Sequence, residues 1–371
     1  MTAAASTSPP RVLIVRLGAM GDIIHALPVV AAIRRAQPDI EIGWVIEKRW
    51  VELLSTPEAV VGRRSPQKPL VDHIHFVNTR AWRSALTSGE TWREIFAAVR
   101  GIRQQHYDVA LDFQGAWKSG FIVGVSGASS RVGFSEPREH GASVFYTHAV
   151  DVRSRHVIEQ NLELAEAARL PLASPPRDFF PHDPAAAAWC GSTLRERGMA
   201  SVPFAIMNPG AGWGAKQWPL EKYAEVARGL AGIGMRTVVN FGPAEEAMAR
   251  NLESLSHGAA TAIACSVGEL MELTRRAALF IGGDTGPMHM AAALRVPVVG
   301  IFGPTDPARN GPFATEAIVL RRAQSVTNHS RRASPDEAML RIEAAEVLGA
   351  AGTLLRLANP HSSTPSEAHD A

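Results

Sequence analysis

The stretch from Ala278 to Asp306 constrains the fold more than any other part of this 371-residue chain. Its apolar run from Leu279 to Gly283 predicts a short buried strand, which ends at Asp284-Thr285-Gly286 and leads into a helix from about Pro287 to Leu294. A second apolar run, Val296 to Phe302, predicts a neighbouring parallel strand. The stretch therefore predicts an open α/β sheet, in which ligands bind at the carboxyl ends of the strands.

The turn before that helix suits an anion. It offers free N–H groups, the positive end of the helix dipole, and a glycine that lets a ligand approach the backbone closely. His289 follows in the first turn of the helix and can reach the same place. The alternative is a capped turn with no ligand, because Asp and Thr are ordinary N-cap residues.

Length and composition limit the class of protein. The chain exceeds one usual core, so two α/β domains are expected. It has no apolar run long enough to span a membrane. Two isolated cysteines, Cys190 and Cys265, fit a reducing cytoplasm and neither a disulfide framework nor a zinc site. The net charge of +2 and a mildly basic first half suit an anionic partner or membrane surface and exclude a nucleic-acid footprint.

The amino terminus predicts a βαβ unit. A strand from Arg11 to Arg16 is followed by a glycine loop, a helix from Ile23 to about Ala36 and a strand from Glu41 to Ile46. A dinucleotide-binding unit has the same plan, but this loop lacks G-x-G-x-x-G, and Asp22 would repel a pyrophosphate. A carboxylate at that place is suited to accept a proton or to cap the helix.

Three further strands are predicted to end in polar, glycine-containing loops. Val109 to Phe113 leads to Gln114, Gly115 and Lys118, and Phe204 to Met207 leads to a glycine-rich loop with Lys216. Thr237 to Phe241 leads to Gly242 and the pair Glu245-Glu246. The polar segment from Glu58 to Pro69 is predicted to be a flexible loop.

Several of these motifs resemble those of the ADP-heptose:lipopolysaccharide heptosyltransferases, inverting glycosyltransferases of the GT-B fold. The similar motifs are R-L-G-A-M-G-D-I-I-H-A-L-P from Arg16, D-F-Q-G-x-x-K-S from Asp112, K-x-W-P from Lys216, and D-T-G-P-M-H with G-I-F-G-P-T-D-P from Asp284. The first two are more like the first heptosyltransferase of the pathway than the second. The resemblance implies two Rossmann-like parallel-sheet domains facing a cleft, with a C-terminal helix that returns to the first domain.

We expect the following division of the chain. Residues 1–10 form a disordered lead-in, 11–172 the acceptor-binding domain, 173–177 a proline-rich linker, 178–348 the nucleotide-sugar-binding domain with the crossing helix, and 349–371 a mostly disordered tail. A capping box at Ser334 to Glu337 predicts that the last helix runs to about Leu348.

The resemblance implies a role for each matched residue. Asp22 is the implied general base. The implied donor-binding residues are Lys216, Glu245 (with Glu246 as the alternative), Asp284, Thr285, Gly286 and His289. The implied acceptor-binding residues are Met20, Gly21, His25, Arg80, Arg83, Gln114, Lys118 and Arg138.

The activity implied by the resemblance is transfer of a heptose from ADP-heptose to the Kdo of lipid A in lipopolysaccharide core synthesis. The implied enzyme is a cytoplasmic monomer, peripheral to the inner face of the cytoplasmic membrane, with no cofactor. Because the sequence has no D-x-D, the acidic pair that often holds a metal on a diphosphate, we expect transfer without a metal.

Three other functions stay open at this point. The chain could use another sugar or acceptor, as the second heptosyltransferase does. It could be a non-catalytic protein that binds nucleotide sugars, in which case Asp22 would be dispensable. A nicotinamide-dependent oxidoreductase is disfavoured by the missing G-x-G-x-x-G.

Overall fold

The computed structural model describes residues 9–210, 212–242, 244–325, 327 and 336–358. The chain forms two compact units that divide between Asp183 and Pro184. Each unit contains one six-stranded sheet, and every pairing between neighbouring strands is parallel. The prediction of two parallel-sheet α/β domains is confirmed.

The first unit orders its strands β3-β2-β1-β4-β5-β6. Its elements are β1 (Arg11–Val15), α1 (Met20–Ala36), β2 (Glu41–Glu47), β3 (His73–Val77), α2 (Thr79–Ser84), α3 (Gly89–Arg103), β4 (Val109–Asp112), α4 (Trp117–Val125), β5 (Ser130–Phe134), β6 (His148–Val150) and α5 (Val157–Ala167). Short 3₁₀ helices occupy Lys48–Leu53, Pro57–Ala59 and Ala142–Phe145. Strand β1 is apolar and buried from Val12 to Val15, and β4 is buried throughout and apolar up to Asp112, as is typical of central strands in a parallel sheet.

One face of this sheet carries a core that α3 and α4 share. Ile102 of α3 and Ile122 and Val123 of α4 pack with Leu13 and Val15 of β1 in a single hydrophobic cluster. The two helices therefore lie side by side on the same face of the sheet, and their opposite sides face outward.

The second unit orders its strands β12-β11-β10-β7-β8-β9. Its elements are α6 (Pro184–Glu196), β7 (Phe204–Asn208), α7 (Leu220–Gly232), β8 (Arg236–Phe241), α8 (Glu246–Leu255), β9 (Ala260–Ala264), α9 (Val267–Arg276), β10 (Leu279–Gly283), α10 (Gly286–Ala293), β11 (Val298–Phe302), α11 (Pro307–Asn310), β12 (Ala317–Arg321), α12 (Glu337–Leu340) and α13 (Ala344–Ala358). Apolar clusters cover both faces of its sheet. The strand, turn and helix predicted from Leu279 onward are confirmed, with the helix beginning at Gly286.

The C-terminal helix differs from its prediction. Instead of one helix ending near Leu348, the chain forms the short α12 and then α13, which continues to Ala358. Val347, Ala351 and Leu354 are buried in the core of the second unit, so this apolar stripe holds residues 349–358 in a helix rather than a tail. The return of the last helix to the first domain stays a prediction. Residues 1–8 and 359–371, expected to be disordered, and Ser334 lie outside the described residues.

The boundary between the units also differs from the proline-rich segment 173–177. Ala173 N donates to Ala32 O at 3.2 Å, and His182 N donates to Pro66 O at 2.9 Å. These hydrogen bonds tie the segment to the first unit, which extends to Asp183.

The segment from Glu58 to Pro69 contains a buried cation. Lys68 is fully buried, and its Nζ donates to the carbonyl oxygens of Gly62 and Asp72, the latter at 3.1 Å. Burial lowers the pKa of this ammonium group. Lys68 thus binds backbone carbonyl groups within the segment and just beyond it, an interaction that the prediction of a flexible loop did not include. In the described parts of the chain, every helix is too short or too polar to cross a bilayer.

Candidate active site

Asp22 lies in the first turn of α1, because the helix begins at Met20 rather than at Ile23. Its carboxylate accepts a hydrogen bond from Ala19 N at 3.2 Å and forms an ion pair with the Arg16 guanidinium at 2.7 Å. The side chain is still 35% exposed, whereas that of Arg16 is 7% exposed. Asp22 thus has two partners that orient it and an open side from which a substrate can approach.

Arg16 joins the glycine loop to the end of β4. Its Nη1 donates to Phe113 O, and its backbone oxygen accepts from Trp44 Nε1 at 3.0 Å. Burial lowers the pKa of the guanidinium, while the nearby charges of Asp22 and Asp112 raise it. Two carboxylates thus compensate a buried cation at the carboxyl edge of the sheet.

Asp112 and Gln114 organise the loop after β4. The Asp112 carboxylate is fully buried and accepts from Gln114 N at 2.9 Å, Ser119 Oγ at 2.9 Å and Tyr146 OH at 2.8 Å. Burial raises the pKa of Asp112, although these hydrogen bonds favour the ionised carboxylate and act to lower it. Gln114 Oε1 accepts from Leu17 N at 3.0 Å and so ties this loop to the glycine loop. Both side chains hold the loops together.

Lys118 lies in a polar cluster at the same edge of the sheet. Its Nζ donates to Thr79 Oγ1 at 3.2 Å and lies 3.8 Å from Glu47 Oε1. Thr79 in turn donates to the same Glu47 oxygen at 2.7 Å. The ends of β2, β3 and β4 therefore contribute one residue each, and the partly exposed lysine can still meet an anion.

The other predicted acceptor residues divide into exposed and buried groups. Arg80, Arg83 and Arg138 are exposed, and Arg138 N lies close to Gly115, where an added Cβ would come within 3.0 Å of it. Gly21 is partly exposed and Met20 is 9% exposed. His25 is only 5% exposed, and its ring packs edge-on against the His156 ring, so the structure places it inside the unit.

In the second unit, three predicted donor residues form one charge cluster. Asp284, which directly follows β10, pairs with Lys216 Nζ at 2.5 Å and with His289 Nε2 at 3.0 Å. All three side chains are nearly buried, and Lys216 Nζ also lies 4.4 Å from the centre of the Trp213 ring. Burial alone would raise the pKa of Asp284, but His289 and Lys216 outweigh it and hold the pKa well below its usual range.

The amino terminus of α10 completes this cluster. Thr285 and Gly286 are partly exposed, and their N–H groups donate to none of the residues that the structure describes. Thr285 Oγ1 donates to Asn208 Oδ1 at 3.1 Å, which fixes the helix start against the end of β7. Free amides, a helix dipole and two basic side chains meet at one place, which is the chemistry of an anion site.

Glu245 points toward this edge, whereas Glu246 is exposed beside Arg250. Glu245 Oε2 accepts from Gly242 N at 3.3 Å, and its Oε1 lies so close to Gly210 that an added Cβ would be 2.4 Å away. A side chain at position 210 would displace the carboxylate, so the glycine lets Glu245 reach the loop after β7. Of the two glutamates, Glu245 is the one that faces the loops.

The sequence reasoning missed Arg16 and Asn208 as members of the two sites. Each is a polar residue at or just beyond the carboxyl end of an apolar central strand. That position is itself the signal, because the carboxyl ends of parallel strands lie at the ligand-binding edge.

Residues 95–339 match the family Glycosyltransferase family 9 (heptosyltransferase). The chain belongs to glycosyltransferase family 9. This family 9 chain is 29% identical over 320 residues to lipopolysaccharide heptosyltransferase 1 of Pseudomonas aeruginosa. The alignment covers 84% of this chain and 83% of that protein. It is 27% identical over 344 residues to the protein of the same name from Salmonella typhimurium, covering 91% and 99%.

Solved structures agree with this fold. The structure of E. coli heptosyltransferase WaaC with ADP aligns with a TM-score of 0.73 and 25% identity, covering 93% of the family 9 chain and 99% of WaaC. E. coli ADP-heptose lps heptosyltransferase II aligns with a TM-score of 0.71 and 18% identity, covering 94% and 99%. The GT-B expectation is therefore confirmed.

Among the described residues, no group of three or more His, Cys, Asp or Glu side chains could hold a metal ion.

Proposed function

We propose that this protein is an inverting heptosyltransferase that moves a heptose from ADP-heptose to the Kdo of lipid A. The observation that carries the proposal is the cluster of Lys216, Asp284 and His289 at the free amino terminus of α10, which is built for a diphosphate. The chain belongs to family 9 and has relatives named lipopolysaccharide heptosyltransferase 1. Both findings support heptose as the sugar and lipopolysaccharide synthesis as the pathway.

In the proposed reaction, Asp22 takes the proton from an acceptor hydroxyl. The hydroxyl oxygen attacks the anomeric carbon of the heptose as the bond from that carbon to the diphosphate oxygen breaks, and ADP leaves with the bonding electrons. A single displacement of this kind inverts the anomeric carbon. Arg16 and Ala19 N orient the carboxylate for this step.

On the donor side, Lys216, His289 and the amides of Thr285 and Gly286 stabilise the charge that develops on the diphosphate. Asp284 positions the two basic side chains, and Glu245 contacts the nucleoside. On the acceptor side, Lys118, Arg80, Arg83 and Arg138 bind the anionic groups of the acceptor, with Met20 and Gly21 beside the reacting hydroxyl and Gln114 fixing the glycine loop. We further propose that the reaction needs no metal and takes place at the inner face of the cytoplasmic membrane.

A second candidate differs only in the acceptor. The chain is also 23% identical over 298 residues to E. coli lipopolysaccharide heptosyltransferase 3, which covers 77% of this chain. The alternative acceptor is another lipopolysaccharide core structure. Testing Kdo-lipid A and heptosylated cores side by side separates the two candidates.

The decisive experiment follows ADP release from ADP-heptose with Kdo-lipid A, with and without a chelator. We expect Asp22→Asn to lower turnover by at least about 100-fold, because the amide cannot accept the proton. Asp39→Asn is the matched control, since Asp39 is exposed just beyond the other end of α1. Release that persists in Asp22→Asn would remove the base assignment, and release abolished by the chelator would remove the metal-free proposal.

A further inference from the structure

The outward sides of α3 and α4 expose a concentration of large apolar side chains. Trp92 and Phe96 on α3 are 46% and 67% exposed, and Trp117 and Phe121 on α4 are 49% and 48% exposed. Val144, in the adjoining 3₁₀ helix, is 71% exposed. We call these five residues the aromatic face. Exposed apolar side chains concentrated in this way mark an interaction surface, whereas single exposed ones do not.

The aromatic face combines the outward sides of two neighbouring helices. Trp92 and Phe96 are four residues apart, as are Trp117 and Phe121, so each pair lies on one side of its helix. The rings of Trp92 and Phe96 lie 6.1 Å apart. Because α3 and α4 pack their other sides into the same core, the two outward sides adjoin.

Two glycines in α4 let the 3₁₀ helix extend this surface. An added Cβ at Gly120 or Gly124 would come within 2.7 or 2.8 Å of the Phe145 ring. That ring instead fills the space and packs edge-on against Trp117 and Phe121, at 5.7 and 6.3 Å between centres. Val144 is thereby held beside the two rings of α4.

Positive charge borders the aromatic face. Arg93 lies three residues before Phe96 and Arg100 four residues after it, and both are exposed and form no ion pair with any residue that the structure describes. The exposed Glu94 on the same helix accepts from Trp82 Nε1 at 2.8 Å. Lys118 directly follows Trp117 in the first turn of α4. Tryptophan and phenylalanine flanked by arginine are the composition of surfaces that lie in the interface of an anionic bilayer.

The second unit gives a contrast within the same chain. Its exposed large apolar residues, within the described segments, are Ile233, Leu340 and Leu357, which lie on separate elements and include no aromatic ring. Such isolated residues need no explanation. The aromatic face is therefore a property of the unit that carries the proposed acceptor residues.

We propose that the aromatic face docks the first unit on an anionic lipid bilayer, with the rings among the headgroups and Arg93 and Arg100 against the phosphates. A second copy of the chain fits this face less well, because a symmetric contact would bring the arginines of the two copies together. The inference rests on the proposed function in one respect. A bilayer docked at this face would present a lipid-anchored acceptor next to Lys118.

Vesicle sedimentation tests the docking with the full chain. We expect the protein to bind phosphatidylcholine vesicles that contain phosphatidylglycerol, and to bind vesicles without it weakly. Phe96→Gln with Phe121→Gln lowers the bound fraction about tenfold, because two rings no longer leave water. Arg93→Gln with Arg100→Gln weakens binding mainly at low salt. Ile233→Gln, which changes a residue that is 66% exposed in the second unit, leaves binding unchanged.

Lipids with brominated chains locate the contact. They quench the fluorescence of Trp92 and Trp117 in bound wild-type protein, and Trp92→Phe with Trp117→Phe removes most of this quenching while binding persists. Equal vesicle binding by the Phe96→Gln, Phe121→Gln variant overturns the proposal. A lipid-free dimer that the same variant abolishes assigns the face to a second copy and also overturns it.

Activity separates this inference from the proposed function. With a detergent-dispersed acceptor, the Phe96→Gln, Phe121→Gln variant keeps the wild-type rate of ADP release if the aromatic face serves docking alone, and a proportional loss in detergent overturns docking as its role. If the proposed function fails, no variant transfers heptose, while vesicle binding still follows the aromatic face.

Discussion

The Asp284 carboxylate organises the charges of the proposed donor site. Its nearly buried carboxylate has two basic partners, Lys216 and His289, from other parts of the second unit. Removing one member of a buried ion pair leaves the other uncompensated, which costs several kcal/mol. The residue that we propose to position the diphosphate-binding side chains is therefore also a residue on which the stability of the unit depends.

We predict that Asp284→Asn lowers the free energy of unfolding by about 3 kcal/mol at pH 7. The pKa of Asp284 is depressed in the folded protein, so its stabilisation is present above the unfolded pKa of about 3.9 and is lost as the pH falls toward the folded pKa. The difference between wild type and variant should thus narrow by roughly 1 kcal/mol between pH 5 and pH 3. Urea unfolding at each pH measures it.

Glu343→Gln provides the control for this prediction. Glu343 pairs with Lys222 at 3.0 Å, but its side chain is 63% exposed. We expect its removal to cost less than about 0.5 kcal/mol. If Asp284→Asn lowers the free energy of unfolding as little as this control does, the buried ion pairs of Asp284 do not stabilise the unit. A loss that does not change with pH would also contradict a stabilising role for these ion pairs.

The loop after β7 contains a matched pair of glycines, Gly210 and Gly212. Gly210→Ala would push the Glu245 carboxylate aside, whereas an added Cβ at Gly212 has no neighbour within 4 Å. Because the carboxylate is the end of a flexible side chain, the fold should tolerate both changes. We predict that Gly210→Ala weakens ADP binding about fivefold to tenfold, while Gly212→Ala leaves it within about twofold. Titration calorimetry with ADP gives both values, and equal affinities would remove Glu245 from the nucleoside site.

Elements whose signal is local were predicted well from the sequence. Strand β10 has the bounds expected from its apolar run, and α10 begins one residue before the expected start. The start of α1 was missed because Gly21 weakens the local helix signal, while the Asp22 carboxylate, which accepts from Ala19 N, supports the extra turn. The prediction of a tail does not hold for residues 349–358, because their burial in the core of the second unit makes them helical.

The sequence predicted which residues belong to the candidate sites better than it predicted which of them pair with one another. Strand ends indicated the loops that contain Asp22, Lys216 and Asp284. The ion pair of Lys216 with Asp284 joins residues 68 positions apart, and no spacing rule predicts it. The burial of His25 against His156 likewise depends on how α1 and α5 pack.

The proposed donor residues and a complete six-stranded sheet lie in one unit of the protein. Lys216, Glu245, Asp284 and His289 all follow Pro184, and their sheet has a core on each face. We predict that residues 184–371 expressed alone fold and bind ADP with a Kd within about tenfold of the full chain. Circular dichroism and calorimetry measure folding and affinity.

Lys216→Met in the same fragment serves as the control, because it removes the cation and keeps the length of the side chain. It should abolish most ADP binding. A folded fragment that does not bind ADP would show that the donor site needs residues before Pro184, and binding that survives Lys216→Met would show that ADP is held elsewhere.

Because all strands of the second sheet are parallel, their starts lie together at the end opposite to their carboxyl ends. We propose no substrate-binding residue at that end. The turns at Gly234 and at His257-Gly258 precede β8 and β9, so they lie at the strand starts, away from Asn208, Gly242 and Asp284 at the strand ends. A fluorophore or a short epitope inserted at either turn would report on the protein and leave the loops that we propose to bind substrate unchanged.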